Sequence, residues 1–383
     1  MVRRVCLVSG GTGGHLMPAL VLARGLRERG HEPVLLTEGR DVERAMVERE
    51  LPDLPALRLP GTGDVARPSR LQLPLWLLRT TLAMRKTLRD ERIDCVVSTG
   101  GRPSVLAGLA ARSLGVPLFL LEQNAVTGRA NRLLGPFAKR IYRGLPDRGH
   151  HDPGFVTGTP LRPGVGSVDR RVARRALELP ETARVVLVTG GSQGAQALNE
   201  TVPAALQRLA DGVTSYVLHL AGAGNAEDVA ARYGIGTHDL EAGRAVGSAT
   251  VESVTVVAKV WPTTTRMAEC YAAADLVICR GGGTTVAELI AAGRPAVIVP
   301  YPHHRDRQQV RNAEVLVDAG AAELVEQHEL TVQGLADRLA RLLGDPAKLA
   351  AMATAAGQVT TGSATTAILD DVERASGWTE VAE

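Results

Sequence analysis

The sequence lacks an excess of charge of either sign. Its 383 residues include 44 lysines and arginines against 41 aspartates and glutamates, which leaves a net charge of +3. So small an imbalance gives no argument for nucleic-acid binding, and any role for basic residues must come from local clusters. We therefore expect no nucleic-acid partner.

Cysteines and long apolar runs are also scarce. The four cysteines fit no metal or disulfide framework, and their apolar surroundings predict buried free thiols in a reducing compartment. No apolar run approaches the length that spans a bilayer. The run before the first glycines is too short for a signal peptide. Together these absences predict a cytoplasmic protein.

What the chain does contain is a regular alternation of strands and helices. Short apolar, strand-like runs are followed by longer helical patterns, and the whole pattern restarts after residue 160. Such alternation is typical of parallel sheets covered by helices on both faces. The stretches "LVSGGTGGH" and "LVTGGSQGA" each place a glycine loop between a strand and a helix. We therefore predict two doubly wound domains in tandem, joined near residues 158–167 and facing one central cleft.

The first glycine loop, "SGGTGGHLMP" at Ser9–Pro18, ends in a histidine. Free amides at a helix N-terminus attract an anion or a sugar, although a tight turn alone would also use glycine. His15 follows the loop, where its imidazole could work as a general base. A histidine that only caps the helix is the alternative.

The strongest local signal is "CRGGGTTVAELIAAGRP" at Cys279–Pro295. Three glycines turn the chain from a strand into a helix, and they suit close approach of a diphosphate to the helix amides. Glu288 lies one turn further on and could accept two ribose hydroxyls. Thr285 and Glu288 also have the spacing of a capping box, which would make the pair structural.

Two polar stretches follow apolar strands elsewhere. "LEQNAVTGRANR" contains Asn124, and "PYPHHRDRQQVRNAE" contains Gln309. Side-chain amides donate and accept hydrogen bonds at once, which suits sugar hydroxyls. A solvated basic loop is the alternative interpretation of the second stretch.

Six of these stretches, in this order, resemble the MurG family of bacterial glycosyltransferases over nearly the whole chain. The motifs are "GGTGGHLMPAL", "LEQNAVTGRANRLL", "GTPLR", "GGSQGAQALN", "RGGGTTVAEL" and "DRQQVRNAEVLVDAGAA". The resemblance implies the GT-B fold, with two Rossmann-like domains. We expect an acceptor- and membrane-facing domain at 1–160, a donor-binding domain at 161–362, and a helix and tail at 363–383 that return to the first domain.

The resemblance also implies an activity and partners. Members transfer N-acetylglucosamine from UDP-GlcNAc to undecaprenyl-pyrophosphoryl-MurNAc-pentapeptide, or lipid I, and so form lipid II for peptidoglycan. We expect the same substrates here, an anionic membrane surface as a partner, and other cell-wall synthesis proteins as further candidates. The implied location is peripheral, on the cytoplasmic face of the cell membrane.

Matching positions carry the family's site residues over to this chain. The resemblance assigns the uracil to the backbone at Thr264, the ribose to Glu288, and His15 to the role of base. It assigns the diphosphate to Ser192 with Gly283, Thr284 and Thr285, and the sugar hydroxyls to Asn124 and Gln309. It also assigns a nucleotide contact to Arg162. The contacts of the first domain with the donor are assigned to Thr12, Gly13 and Gly14. Three places depart from the family pattern, namely Arg102, Leu121 and 263–267.

The implied chemistry is an inverting, in-line transfer that needs one base and no covalent intermediate. No D-x-D pair occurs, so we expect no metal and no other cofactor. Alternatives are a related transferase with another lipid or natural-product acceptor, a hydrolysing nucleotide-sugar epimerase, and a non-catalytic nucleotide-sugar sensor. A nicotinamide oxidoreductase fits least, because neither glycine fingerprint is complete.

The stretch "RLQLPLWLLRTTLAMRKTLR" at Arg70–Arg89 joins apolar residues to arginines. Pro74 could leave Trp76 and its neighbouring leucines exposed in a loop or first helical turn. Such a patch suits shallow insertion into an anionic membrane. A core helix with a solvated basic face is the alternative.

Overall fold

A computed structural model describes the chain except for residues 11–12, 61–71, 149–152, 192, 210–213, 236–244, 252–253, 305, 360–361 and 379–383. The chain divides into two compact units, one formed by Met1–Arg162 with Thr361–Glu383 and the other by Pro163–Thr360. The division therefore lies at 162/163, where the sequence predicts 160/161.

The first unit is a parallel sheet flanked by helices. Its strands are β1 (Arg4–Val8), β2 (Glu32–Thr37), β3 (Ala56–Arg58), β4 (Cys95–Ser98), β5 (Leu118–Glu122), β6 (Arg140–Arg143) and β7 (Phe155–Val156). Its helices before residue 163 are α1 (Gly13–Glu28), α2 (Asp41–Glu50), α3 (Leu73–Asp90), α4 (Arg102–Leu114) and α5 (Arg129–Leu134), followed by a 3-10 turn at Gly135–Phe137. The strand order is β3-β2-β1-β4-β5-β6-β7, with every pairing parallel.

Strand β1 shows why this sheet is buried on both faces. Val5 and Leu7 belong to one apolar cluster, while Cys6 and Val8 belong to another. Successive side chains of a strand point to opposite faces, so the two clusters cover the two sides of the sheet. The strand order reverses between β1 and β4, and ligands of such folds bind at the carboxyl ends of strands at this point.

The second unit repeats the same plan. Its strands are β8 (Arg184–Thr189), β9 (Thr214–Leu220), β10 (Ala245–Val251), β11 (Val254–Trp261), β12 (Leu276–Cys279), β13 (Ala296–Ile298) and β14 (Ala322–Leu324). Its helices are α6 (Arg170–Ala176), α7 (Gln196–Leu206), α8 (Ala226–Arg232), α9 (Met267–Ala273), α10 (Gly283–Ala292), α11 (Gln308–Asp318), α12 (Val332–Leu343) and α13 (Pro346–Gln358), with a 3-10 turn at Gln327–Glu329.

The second sheet has the order β10-β11-β9-β8-β12-β13-β14, and its strand order reverses between β8 and β12. One pairing departs from the predicted parallel arrangement, since β10 runs antiparallel to β11 at the edge. Strand β10 ends at Val251, and β11 begins at Val254. So short a connection can join antiparallel strands only, because a parallel pair needs a long crossover.

The last described helix, α14 (Ala364–Ala375), packs in the first unit against α1. A Cβ added at Gly25 would lie 2.8 Å from Leu369 Cδ1, so the glycine permits close helix contact. The Tyr142 hydroxyl donates to Asp371 Oδ2 at 2.9 Å. The C-terminal part of the chain thus contributes to the core of the first unit.

The four cysteines are free and buried, as predicted. Burial raises the pKa of the Cys6, Cys270 and Cys279 thiols to about 12. A thiol that stays protonated at neutral pH is a poor nucleophile. These side chains therefore serve packing.

A buried polar cluster lies in the core of the second unit. His219 is fully buried; its Nδ1 lies 3.0 Å from the Tyr233 hydroxyl and its Nε2 lies 3.1 Å from Asn199 Oδ1. The Asn199 amide donates to the Ala221 carbonyl at 2.9 Å. Burial lowers the pKa of His219 from 6.5 to about 3, so the ring is neutral in the folded protein at pH 5 and above.

We expect this histidine to make folding pH-dependent. The unfolded chain takes up a proton below pH 6.5 that the folded ring refuses until about pH 3, so stability is lost as the pH falls through this interval. At pH 5 the loss is about 2 kcal/mol relative to pH 8. In urea unfolding, the free energy of unfolding of His219→Gln should decrease less between pH 8 and pH 5 than that of wild type. His328→Gln, at an exposed histidine, is the control and should show the wild-type dependence of this free energy on pH. The same pH dependence in all three proteins would contradict the assignment.

Candidate active site

The first glycine loop is held by its neighbour at the carboxyl ends of β1 and β4. The Gly10 amide donates to the Gly100 carbonyl at 3.2 Å. A Cβ at Gly10 would lie 2.4 Å from Pro103 Cδ, and one at Gly101 would lie 2.5 Å from the Gly10 carbonyl oxygen. Gly10 and Gly101 are thus required by contact between two loops.

His15 lies in the first turn of α1, half-buried. Its Nδ1 is 2.8 Å from the Thr99 carbonyl oxygen and 3.1 Å from Gln123 Oε1. The Thr99 hydroxyl donates to the His15 carbonyl at 2.9 Å. The contacts of Thr99 and Gln123 with His15 are not predictable from the sequence alone. The available signal is that β1, β4 and β5 all end at the same edge of one sheet.

Asn124 is oriented by a buried carboxylate. Glu122 is 2% exposed, and its Oε1 accepts from the Asn124 backbone amide at 3.1 Å and side-chain amide at 2.9 Å. Its Oε2 accepts from the Gly128 amide at 2.8 Å and the Asn131 side chain at 2.9 Å. Glu122 thereby fixes the loop after β5 and the direction of the Asn124 side chain.

The other predicted residues of the first unit are less closely grouped. Gly13 begins α1, Gly14 is exposed beside it, and Thr12 lies outside the described residues. Arg162 is half-buried, and its Nη2 lies 3.5 Å from Glu50 Oε1 at the end of α2.

Arg102, a departure from the family pattern, forms an ion pair with Glu38. Arg102 Nε lies 3.0 Å from Glu38 Oε1, and Arg40 approaches the other oxygen. The Glu38 side chain is 8% exposed and that of Arg102 is 68% exposed. The guanidinium therefore stays largely in solvent, next to the loop that carries Gly100.

The second unit places its glycine loops at the carboxyl ends of β8 and β12. Gly191 and Gly194 follow β8 with φ values of +82° and +74°, which favour glycine. A Cβ at Gly194 would lie 2.1 Å from the Ala221 carbonyl oxygen. Ser192 is outside the part of the chain that the structure describes.

Helix α10 begins one turn earlier than a capping box would require. Its N-cap is Gly282, so Gly283, Thr284 and Thr285 form the first turn. The first turn of a helix presents amide donors that have no carbonyl partner within the helix. The capping-box alternative for Thr285 and Glu288 is therefore wrong, because Thr285 is already inside the helix.

Glu288 lies in the second turn of α10 and is 6% exposed. Its Oε2 accepts from the hydroxyl of Tyr271, a fully buried residue of α9, at 2.9 Å. This bond fixes one carboxylate oxygen. Tyr271 is a contact that sequence analysis does not predict, since only an apolar helix pattern surrounds it.

Helix α11 holds the loop before α10 through both backbone groups of Gly281. Gln309 Oε1 accepts from the Gly281 amide at 3.1 Å and from the Tyr301 amide at 2.9 Å, while the Asn312 side chain donates to the Gly281 carbonyl at 2.9 Å. A Cβ at Gly281 would lie 2.2 Å from the Gln309 carbonyl oxygen. The side-chain oxygen Oε1 of Gln309 thus accepts hydrogen bonds from the protein itself. The Nε2 group is the part of this side chain that suits a sugar hydroxyl.

Arg307, just before α11, has a left-handed backbone with φ of +50°. For a residue other than glycine this conformation costs about 1 kcal/mol or more, and it persists where the surroundings demand it. Its carbonyl accepts from the Val310 amide at 2.9 Å. The turn sets the direction from which Gln309 reaches Gly281.

Thr264 lies between β11 and α9. Its hydroxyl oxygen accepts from the Arg266 amide at 3.0 Å, which closes a short turn. The residue is half-buried. The described residues contain no group of three or more side chains able to hold a metal ion.

Comparisons with known proteins place these two units in a family. Residues 5–143 match the glycosyltransferase family 28 N-terminal domain, and residues 185–368 match the C-terminal domain. A protein of Stutzerimonas stutzeri (strain A1501) is 37% identical over 97% of this chain and 98% of its own length. It is named UDP-N-acetylglucosamine--N-acetylmuramyl-(pentapeptide) pyrophosphoryl-undecaprenol N-acetylglucosamine transferase. A protein of the same name from Neisseria meningitidis (strain FAM18) is 37% identical, over 88% of this chain and 89% of its own.

The crystal structure of Acinetobacter baumannii MurG agrees with these relatives. It is 30% identical, has a TM-score of 0.77, and covers 97% of this chain and 99% of its own. The chain belongs to glycosyltransferase family 28, as a member of the MurG family. Membership confirms the predicted resemblance and the GT-B fold with two Rossmann-like domains.

Proposed function

We propose that this protein transfers N-acetylglucosamine from UDP-GlcNAc to lipid I and so forms lipid II for peptidoglycan. The observation that carries this conclusion is 37% identity over 97% of the chain to a protein named for that transfer. The protein is accordingly a UDP-GlcNAc-dependent hexosyltransferase of cell-wall biogenesis. Because lipid II is used for peptidoglycan, the reaction connects the protein with cell shape and cell division.

The donor diphosphate fits the start of α10. Gly283, Thr284 and Thr285 form a first turn at which amides and the helix dipole stabilise negative charge. The same charge grows on the leaving UDP during transfer, so this helix end favours the transition state. Ser192, from the loop after β8, is proposed as a further diphosphate contact.

The acceptor hydroxyl needs a base, and His15 is proposed for that role. An imidazole within reach of the hydroxyl removes its proton as the oxygen attacks the anomeric carbon in line. Asn124 and the Nε2 group of Gln309 are proposed to bind sugar hydroxyls. The backbone at Thr264 is proposed for the uracil, Arg162 for the nucleotide, and the Thr12–Gly14 segment for the donor.

One assay separates this function from the alternatives. UDP release from UDP-GlcNAc is measured with lipid I, with a diacylglycerol, and with water alone as the acceptor. We expect release only with lipid I, together with lipid II as the product. Release with water alone would indicate a hydrolysing epimerase, and release with diacylglycerol would indicate another acceptor class; either would contradict the proposal.

The proposed ribose contact gives a second test. The Tyr271 hydroxyl holds one oxygen of Glu288, and two ribose hydroxyls that donate to this carboxylate would contribute about 3 kcal/mol. Glu288→Ala should weaken UDP binding roughly a hundredfold in titration calorimetry. Asp337→Ala removes an exposed carboxylate of α12 and should bind UDP like wild type. Unchanged UDP affinity in a folded Glu288→Ala protein would remove Glu288 from the ribose site.

A membrane contact is proposed for α3 of the first unit. Leu75, Leu78 and Leu82 are 52%, 57% and 54% exposed, and their spacing places them on one side of the helix. Arg79 and Lys86 are exposed on the same helix. The alternative that α3 buries all its apolar side chains in the core does not hold for these leucines.

Of the two arrangements that the sequence allows, the helix has the second. It begins at Leu73, so Pro74 and Trp76 fall in its first turn, where proline is tolerated. The burial of Trp76, however, differs from the prediction. Trp76 is half-buried and packs against the apolar cluster around Met84 and Leu88. The leucines rather than Trp76 are therefore proposed to enter the lipid. Among the described residues, no helix has the length and apolarity needed to cross a membrane, and we propose peripheral attachment on the cytoplasmic face.

Substitution of the leucines tests this attachment. A Leu75→Ser, Leu78→Ser, Leu82→Ser variant should bind anionic vesicles at least about tenfold more weakly, because the apolar contact with lipid is lost. Binding of the wild type should also fall with salt, since Arg79 and Lys86 contribute about 1 kcal/mol each near the surface. Val172→Ser, at an exposed valine of α6, is the control. Equal flotation of the triple variant and the control would refute the patch.

A further inference from the structure

Two separate stretches of the first unit surround the imidazole of His15. The loop after β4 supplies the Thr99 carbonyl at 2.8 Å from Nδ1, and the segment directly after β5 supplies Gln123 Oε1 at 3.1 Å. Gly100 lies against the same ring, since a Cβ there would be 2.9 Å from both Cε1 and Nδ1. The ring therefore has a defined position even before any substrate binds.

The orientation of the Gln123 amide follows from its contact with Thr99. Gln123 Nε2 lies 2.7 Å from the Thr99 carbonyl oxygen. A carbonyl oxygen can only accept a hydrogen bond, so the nitrogen of the amide must face it. The amide oxygen then faces His15, and at 2% exposure the side chain has little freedom to turn.

These acceptors decide which ring nitrogen carries the proton. Nδ1 faces two oxygens that accept and has no donor beside it, so the neutral ring is protonated at Nδ1. Nε2 then carries the lone pair, and it has no hydrogen-bond partner in the described part of the chain. No carboxylate of the described residues lies within 4.0 Å of the ring nitrogens, so neutral groups alone hold this tautomer.

We propose that Gln123, together with the Thr99 carbonyl, is a positioning residue that holds His15 as the Nδ1–H tautomer. The Nε2 lone pair is thereby directed to the hydroxyl of the acceptor, whose proton it takes as the new glycosidic bond forms and UDP leaves. The proposal rests on the proposed function for the identity of that hydroxyl. The tautomer itself does not depend on any substrate.

The first experiment is ¹⁵N NMR of histidine-labelled wild-type protein without substrates, at a pH where the imidazoles are neutral. His15→Gln identifies the His15 signals by their loss. We expect Nδ1 to give the protonated-nitrogen shift and Nε2 the unprotonated one. A ring protonated at Nε2 in the wild type would overturn the proposal.

The second experiment removes the positioning amide. In Gln123→Met the two tautomers should mix, and kcat should fall about tenfold while KM for UDP-GlcNAc stays within about twofold of wild type. Gln207→Met is the control, because it removes a glutamine of the second unit that donates to the Arg232 carbonyl. An unchanged tautomer with unchanged kcat in Gln123→Met would overturn the proposal.

A further variant adds a methyl group beside the same ring. Gly100→Ala adds a Cβ at 2.9 Å from the imidazole and should lower kcat with UDP affinity retained.

Failure of the proposed function would give different results in these experiments. If His15→Gln kept full turnover, His15 would not be the base, although the wild-type tautomer would still be set by Gln123. If lipid I were not the acceptor, the NMR result would be unchanged.

Discussion

The structure depends on close backbone contact at the carboxyl ends of the central strands. In the first unit a Cβ at Gly101 would lie 2.5 Å from the Gly10 carbonyl oxygen, and in the second a Cβ at Gly281 would lie 2.2 Å from the Gln309 carbonyl oxygen. Each contact ties one loop to its neighbour. The helices that follow, α1 and α10, therefore begin at fixed places beside the reversals of strand order. The proposed base and the proposed diphosphate site both lie in those first turns.

Several polar groups around these loops are paired within the protein before any ligand binds. Glu122 accepts from two backbone amides and two side-chain amides, and Gly281 is held through both its amide and its carbonyl. Buried polar groups that lack partners cost free energy, so such networks make a loop rigid. Rigid donors and acceptors need not reorganise during reaction, which is the condition for electrostatic stabilisation of a transition state.

Much of the architecture could be predicted from the sequence, because strand and helix periods and the order of six motifs are readable along the chain. The sequence left alternatives open where a local pattern has two physical solutions. Thr285 and Glu288 have capping-box spacing, but α10 begins at Gly283 and places Thr285 inside the helix. Trp76 resembles a membrane anchor in sequence, whereas in the fold it packs against the core. Neither outcome is encoded within the few residues that form the pattern.

The sequence by itself determined the fold class, the family and the residue types available for chemistry, because periodicity and motif order are properties of neighbours in the chain. Only the tertiary structure decided how those residues are used. His15 meets Thr99 and Gln123 across 84 and 108 residues, and Glu288 meets Tyr271 from another helix. A proton's position on an imidazole is set by the acceptors around it, and these acceptors come together only when β1, β4 and β5 align in one sheet.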